Sequence, residues 1–191
     1  MSALLKPELL SVEEYIEGEL LSEVRHEYID GCVYAMAGAS DDHNRIGGNI
    51  FSFLHQALRG KRCEPFGSDM KFKIPRYNSF YYPDVMVTCD PTDNAKYFRE
   101  RPIIVFEVLS PETRRTDTRE KWYAYDTVED LQVYVLVAQD RAEAVVHRRT
   151  ADGWTTETLR GLNATLSLPE IGADIPFQRI YERTHLAPVA G

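Results

Sequence analysis

The sequence predicts a single domain of mixed α/β (α+β) class. Two capped helical segments stand near the N-terminus, apolar strand-like runs fill the middle, and no repeat, low-complexity tract or Ser/Gly linker divides the chain. A length of 191 residues suits one domain and suffices to bury a real core.

The elements follow in order. A short helix is expected from about Val12, with Ser11 as N-cap and Glu13 and Glu14 in the first turn, where the helix dipole favours acids. Asp30-Gly31 lies between two apolar-aromatic runs, a two-residue hairpin signal. Ser40 caps a second helix. Ile46, Ile50, Phe53/Leu54 and Ala57/Leu58 recur at helical spacing, and Gly60 closes it. Gly47-Gly48 inside that helix costs about 1 kcal/mol each against Ala, and close packing on a neighbour would account for them.

Phe66–Ile74, Phe80–Thr88 and Ile103–Leu109 read as strands. The third is apolar on both faces, the habit of a central strand. A helix from about Asp117 to Asp126, capped by Thr116, follows. Leu131–Val137 and Ala144–Arg148 form a strand pair across Gln139-Asp140. A polar strand at Thr155–Leu159 and a short element near Ile180 end a domain spanning 1–191, with its core at about 11–160.

Hydrophobic residues make up 43% and charged residues 27%, an ordinary globular balance. No apolar run approaches the ~20 residues of a membrane span, and Met1–Leu10 lacks the pattern of a secretory leader. Cys32, Cys63 and Cys89 are odd in number and far apart, which fits reduced thiols in a cytoplasm rather than a disulfide frame or zinc knuckle. The five histidines lack zinc-hydrolase spacing. A net charge of −8 counts against nonspecific nucleic-acid binding but leaves room for a local basic surface.

Glu107 sits inside Ile103-Ile-Val-Phe-Glu-Val-Leu109. A carboxylate there must be compensated by a metal, an arginine or a proton. Asp84 interrupts Phe80-Tyr-Tyr-Pro-Asp-Val-Met-Val87, where Pro83 removes a ladder donor and marks an edge or bulge. The two strands are expected to be antiparallel neighbours, so two inward carboxylates would call for a cation between them. The alternative is that each carboxylate pairs with an arginine or caps a backbone group.

Pro83-Asp84, then Glu107 in an apolar strand, then a lysine resembles the PD-(D/E)XK nuclease superfamily. Its last motif is Glu-x-Lys, and here Leu109 holds the lysine position. Lys121, early on the following helix, is the nearest candidate, and the superfamily includes members whose lysine has moved to that helix. The chain more closely resembles the Uma-two family of restriction-endonuclease-like proteins, over roughly residues 11–146. Four segments carry the likeness: Arg25-His-Glu-Tyr-Ile-Asp-Gly31; His43 opening a helix; Tyr82-Pro-Asp-Val85; and Phe106-Glu-Val-Leu-Ser-Pro111 running into Asp117-Thr-Arg-Glu-Lys121 with Tyr125.

The resemblance implies a restriction-endonuclease-like core, a central mixed β-sheet flanked by helices, and a DNA-cleaving site. Asp84 and Glu107 would hold a Mg2+ or Mn2+ ion with the Val108 carbonyl as third ligand, and Lys121 would stabilise developing charge or orient water. Glu27 is either part of that pocket or an exposed strand-end carboxylate. His43 either reaches the site or is structural, and Tyr125, one turn after Lys121, supports the site or the core. Arg114, Arg115 and Arg119 with Lys61, Arg62, Lys71, Lys73 and Arg76 would form a phosphate-binding rim, or else a solvated charged face.

The leading expectation is a Mg-dependent endonuclease acting on DNA, cytoplasmic and homodimeric. Two-fold symmetry is the commonest assembly and would supply a site for each strand of a duplex. The competing reading is a non-catalytic module on the same fold that binds nucleic acid or protein. A small-molecule hydrolase is disfavoured by the lack of a Gly-x-Ser-x-Gly nucleophile.

Overall fold

Local signals at the N-terminus set the first elements of the computed structural model, which describes residues 9–110 and 119–187. Helix α1 (Val12–Glu19) opens on a full capping box. Ser11 Oγ accepts from the Glu14 amide at 3.2 Å, and the Glu14 carboxylate accepts from the Ser11 amide at 2.8 Å. Strands β1 (His26–Ile29) and β2 (Cys32–Ala35) form the expected hairpin. Its turn places Asp30 at φ 45° and Gly31 at φ 93°, and Leu9 packs so close that a Cβ on Gly31 would lie 2.8 Å from the Leu9 Cβ. Helix α2 (Asp41–Ala57) buries Ile46, Ile50 and Leu54 on one face. Ser40 caps it by accepting from the His43 amide.

The two long apolar runs of the middle each divide, contrary to the sequence expectation. Phe66–Ile74 becomes β3 (Glu64–Gly67) and β4 (Lys71–Ile74), separated by a turn at 68–70. Phe80–Thr88 becomes β5 (Ser79–Tyr81) and β6 (Val85–Thr88), separated at Tyr82-Pro83-Asp84. The halves join different sheets. Strands β4 and β5 belong with β1, β2 and the two-residue β7 (Phe98–Arg99) in the order β2-β1-β5-β4-β7.

Strands β3 and β6 join β8 (Pro102–Leu109), β9 (Val133–Ala138), β10 (Glu143–Thr150) and β11 (Gly153–Arg160) in the order β11-β10-β9-β8-β6-β3. This sheet is mixed: β8 pairs antiparallel with β6 and parallel with β9. Strand β8 is central, as its two-sided apolar sequence requires. Helix α3 (Lys121–Asp126) follows β8 after a π turn at 119–120. Thr116 and Asp117, expected to open this helix, lie outside the described residues.

Residues alternate along the six-stranded sheet and feed two cores. Ile104, Phe106 and Val108 with Val133, Val135 and Val137 face α2. Val105 and Leu109 with Tyr134 and Leu136 face α3 and Phe72, Ile74 and Tyr81 of the five-stranded sheet. A third cluster, Tyr15, Tyr28 and Phe80, lies between α1 and the far face of the five-stranded sheet. Full burial of such side chains contributes about 1.5–3 kcal/mol each.

The core extends past residue 160. A hairpin of β12 (Thr165–Leu168) and β13 (Ala173–Pro176), followed by α4 (Phe177–Ile180), places Leu166, Ile175, Phe177 and Ile180 in the cluster that α2 covers. No helix among the described residues is long and apolar enough to cross a membrane.

The cysteines depart from expectation. Cys63 and Cys89 form a disulfide, leaving Cys32 as the free thiol. The β3–β6 ladder pairs Glu64 with Thr88, so the residues just beyond come together although 26 positions apart. The cysteine pattern therefore no longer argues for a reducing compartment.

Candidate active site

The register of β6 and β8 brings the two carboxylates to one place. Val85 pairs with Phe106, so the next position sets Asp84 opposite Glu107. Glu107 lies between Val105 and Leu109, on the face toward the five-stranded sheet, and is only 3% exposed. Leu109 fills the position that a strand lysine would take and is itself buried in that core. The cation arrives from α3 instead. Lys121, 5% exposed at the first turn of that helix, places Nζ 3.1 Å from Glu107 Oε1 and 3.2 Å from Glu27 Oε1.

Glu27 comes from β1, so a single ammonium joins carboxylates of the two sheets. Tyr125, one turn on along α3, donates its hydroxyl to Glu107 Oε1 at 2.9 Å. Among the described residues, Lys121 and Tyr125 supply compensation to Glu107. The Lys121 ammonium bridges Glu107 to Glu27, where the sequence suggests a cation between Glu107 and Asp84.

Asp84 sits at the bend where the chain passes from β5 to β6. Its Oδ2 accepts the Val108 amide at 2.7 Å and lies 3.5 Å from His43 Nε2. In an extended strand N–H and C=O of one residue leave the same edge, so the Val108 edge that meets Asp84 also carries its carbonyl. His43 belongs to the first turn of α2, which the Ser40 cap fixes. Gly47, one turn later, passes close to Asp84. A Cβ at Gly47 would stand 3.9 Å from the Asp84 Cβ, ordinary contact, and Gly48 has open space around it. Packing therefore accounts for neither glycine.

The described contacts form two groups, Asp84 with His43 and the Val108 amide, and Glu107 with Lys121, Glu27 and Tyr125, and the β6–β8 register sets Asp84 and Glu107 opposite each other. Tyr81 joins the second group from β5, its ring centroid 5.9 Å from Lys121 Nζ and edge-on to Tyr125. Tyr81 is not among the residues the sequence singles out, and its place three residues before Asp84 is the signal that marks it. Burial, and then the charge of Glu107, hold the Tyr125 hydroxyl well above its ordinary pKa, so it remains a hydrogen-bond donor. Burial and the Glu27 charge raise Tyr81 likewise, with Lys121 opposing.

The basic rim is not gathered here. Lys61 donates to the Gly172 carbonyl, Lys73 pairs with Glu100 at 2.6 Å, and Lys71 is buried beneath α1. Arg62, Arg76 and Arg119 are exposed, and Arg114 and Arg115 lie outside the described residues.

Comparison with known proteins places the chain in a family. The Uma2 family, described as "Putative restriction endonuclease", matches residues 12–177. Two uncharacterized proteins of Synechocystis sp. are similar. One, slr1290, is 36% identical over 174 residues, covering 90% of this chain and 91% of its own length; the other, sll1609, is 32% identical over 162 residues, covering 83% and 92%. A crystal structure described as a putative nuclease belonging to DUF820, from Anabaena variabilis, shares the fold with a TM-score of 0.71. It is 16% identical, and the match covers 90% of this chain and 97% of that one. The chain belongs to the Uma2 family of putative restriction endonucleases.

Proposed function

We propose that the protein is a metal-dependent endonuclease that hydrolyses DNA phosphodiester bonds at the Asp84–Glu107 centre. The supporting observation is the convergence of Asp84 and Glu107 in register with a lysine ammonium on Glu107 and an imidazole on Asp84. The donors are hard carboxylate oxygens, the chemistry that Mg2+ and Mn2+ prefer. Among the described residues no three His, Cys, Asp or Glu side chains are grouped as a ready cage.

Asp84, Glu107 and the Val108 carbonyl would hold the ion, which when bound supplies Lewis acidity toward the phosphate and a more acidic water. The chain's own residues do the rest. Lys121 offers positive charge toward the phosphate oxygens, and Glu27 holds that ammonium from the other side. Tyr125 keeps the Glu107 carboxylate oriented. His43 stands beside Asp84, where it can accept or relay a proton. A homodimer would present one centre to each strand of a duplex.

One observation favours a second reading, a non-catalytic nucleic-acid- or protein-binding module. Lys121 and Tyr125 already compensate Glu107, so its burial needs no metal. Cleavage of single- and double-stranded DNA with and without Mg2+ separates the two. Asp84→Ala and Glu107→Gln are expected to fold normally by circular dichroism and to lose about 100-fold or more in cleavage rate. Full activity in both, or no metal uptake in a calorimetric titration at millimolar Mg2+ or Mn2+, would falsify the nuclease reading.

A further inference from the structure

A second group of ionisable side chains lies across the five-stranded sheet from the Glu107 centre. Lys71 is 6% exposed and sits under α1. Its Nζ lies 5.2 Å from the Tyr82 ring centroid and 6.0 Å from that of Tyr15, and among the described residues it has no acceptor within hydrogen-bond or ion-pair distance. The nearest carboxylate is committed elsewhere. Glu19 Oε1 takes His26 Nδ1 at 2.8 Å, and Oε2 takes the Tyr82 hydroxyl at 2.7 Å and the His26 amide. A buried ammonium without an acceptor is unfavourable. Burial accordingly holds Lys71 below its ordinary pKa, against the opposing pull of Glu19.

Lys71 lines a cavity of about 270 Å³ that opens at the surface between α1 and the loop carrying Lys96 and Tyr97. Arg25 and Asp69 are also on its wall, paired with each other at 3.0 Å. Lys96 is exposed at the rim with its ammonium over the Tyr97 ring at 4.9 Å. Glu23 is the remaining acid of the lining and is exposed. The lining carries Glu19, Glu23 and Asp69 against Lys71, Arg25 and Lys96; Lys71 is the cation inside and Lys96 the one at the mouth, with the rings of Tyr82 and Tyr97 beside them. The volume is small beside the ~300–1,000 Å³ of drug-sized pockets.

We propose that this cavity binds a terminal phosphate group, with Lys71 as its inner counter-ion, Lys96 as its outer one, and Tyr97 available to stack on a base attached to it. A phosphate supplies the acceptor that Lys71 lacks, and two cations suit its double charge. The phosphate could belong to a free anion, a 5′-mononucleotide or the phosphorylated end of a strand. The site is distinct from the Glu107 centre and does not depend on cleavage there.

Calorimetric titration of the full chain in metal-free buffer tests the proposal, using inorganic phosphate, a 5′-mononucleotide, and an oligonucleotide with either a 5′-phosphate or a 5′-hydroxyl. Saturable binding of at least one phosphate probe is expected, with a Kd of about 0.1–1 mM for the tightest. Lys71→Met, which keeps the stem and removes the charge, should weaken it at least about tenfold. Lys96→Ser at the exposed rim should weaken it less, and serves where Lys71→Met does not fold. Glu107→Gln should bind as the parent does, so loss of cleavage and loss of this site are separable. Tighter binding of the mononucleotide than of phosphate, abolished by Tyr97→Ala, identifies a nucleotide. Preference for the 5′-phosphorylated strand identifies a strand end, and equal binding of all phosphate probes identifies the free anion. No binding of any probe, binding unchanged in both lysine variants, or binding lost in Glu107→Gln overturns the proposal.

Discussion

Lys121 is the residue on which the candidate centre turns. It answers Glu107 and Glu27 together, and all three are largely removed from water. Removing one partner of a buried pair leaves an uncompensated charge, at about 3–5 kcal/mol. Lys121→Met is therefore expected to lower stability by that order in urea denaturation. Adding Glu107→Gln removes one of the two carboxylates that Lys121 answers and should restore part of the loss. A double variant no more stable than the single one would mean that Glu107 draws its compensation from elsewhere. Glu107 was legible in the sequence because one acid stood in an otherwise apolar strand. Its ties to Lys121 and Tyr125 were not, because they depend on where α3 docks. Nor was the contact between Lys121 and Glu27, which joins residues 94 positions apart. The sequence leaves Lys71 either in a basic rim or on a solvated face; it is buried because α1 lies across that side of β4.

At the scale of the element, a helix start governs a site residue. Ser40 Oγ accepts from the His43 amide and donates to Gln139 Oε1 at 3.0 Å, tying the start of α2 to the turn after β9. Ser40→Ala should cost about 1 kcal/mol by loss of the cap. Because His43 stands in that same turn, its imidazole resonances should move in the NMR spectrum of the variant relative to the parent. An unchanged His43 signal would show that the cap does not position the ring. Helices α1 and α2 and the first hairpin were legible because their start and stop residues are local: Ser11, Ser40, Asp30-Gly31 and Gly60. The division of the two long apolar runs was not. Both halves of each run are buried, so apolar pattern alone cannot say that the chain changes sheets at 68–70 or at Pro83.

For the whole molecule, residues 161–187 are structural. Asn49 on α2 donates to the carbonyls of Ile180 and Glu182, and the Tyr181 hydroxyl donates to that of Ala138 in β9. The sequence placed the end of the core near 160 because the segment beyond it is short, polar in alternate positions and rich in turns. Its alternate positions, Leu166, Leu168, Ala173 and Ile175, are those that close the core under α2. A chain ending at 160 would leave that apolar face open. It is expected to lose the cooperative thermal transition seen by circular dichroism in the full chain. A truncated protein that melts as sharply and as high would show that the last segment is only appended.

The bend at Tyr82-Pro83-Asp84 has a consequence of its own. It is the seam at which one sheet hands the chain to the other, and the candidate centre straddles it. Glu27 stands on one bank and Glu107 on the other, with Lys121 bolting them together. The spacing of these acids is therefore a property of how two slabs seat, not of any single strand. A molecule that wedged the slabs apart, even from the far side, would detune the centre without touching a residue in it.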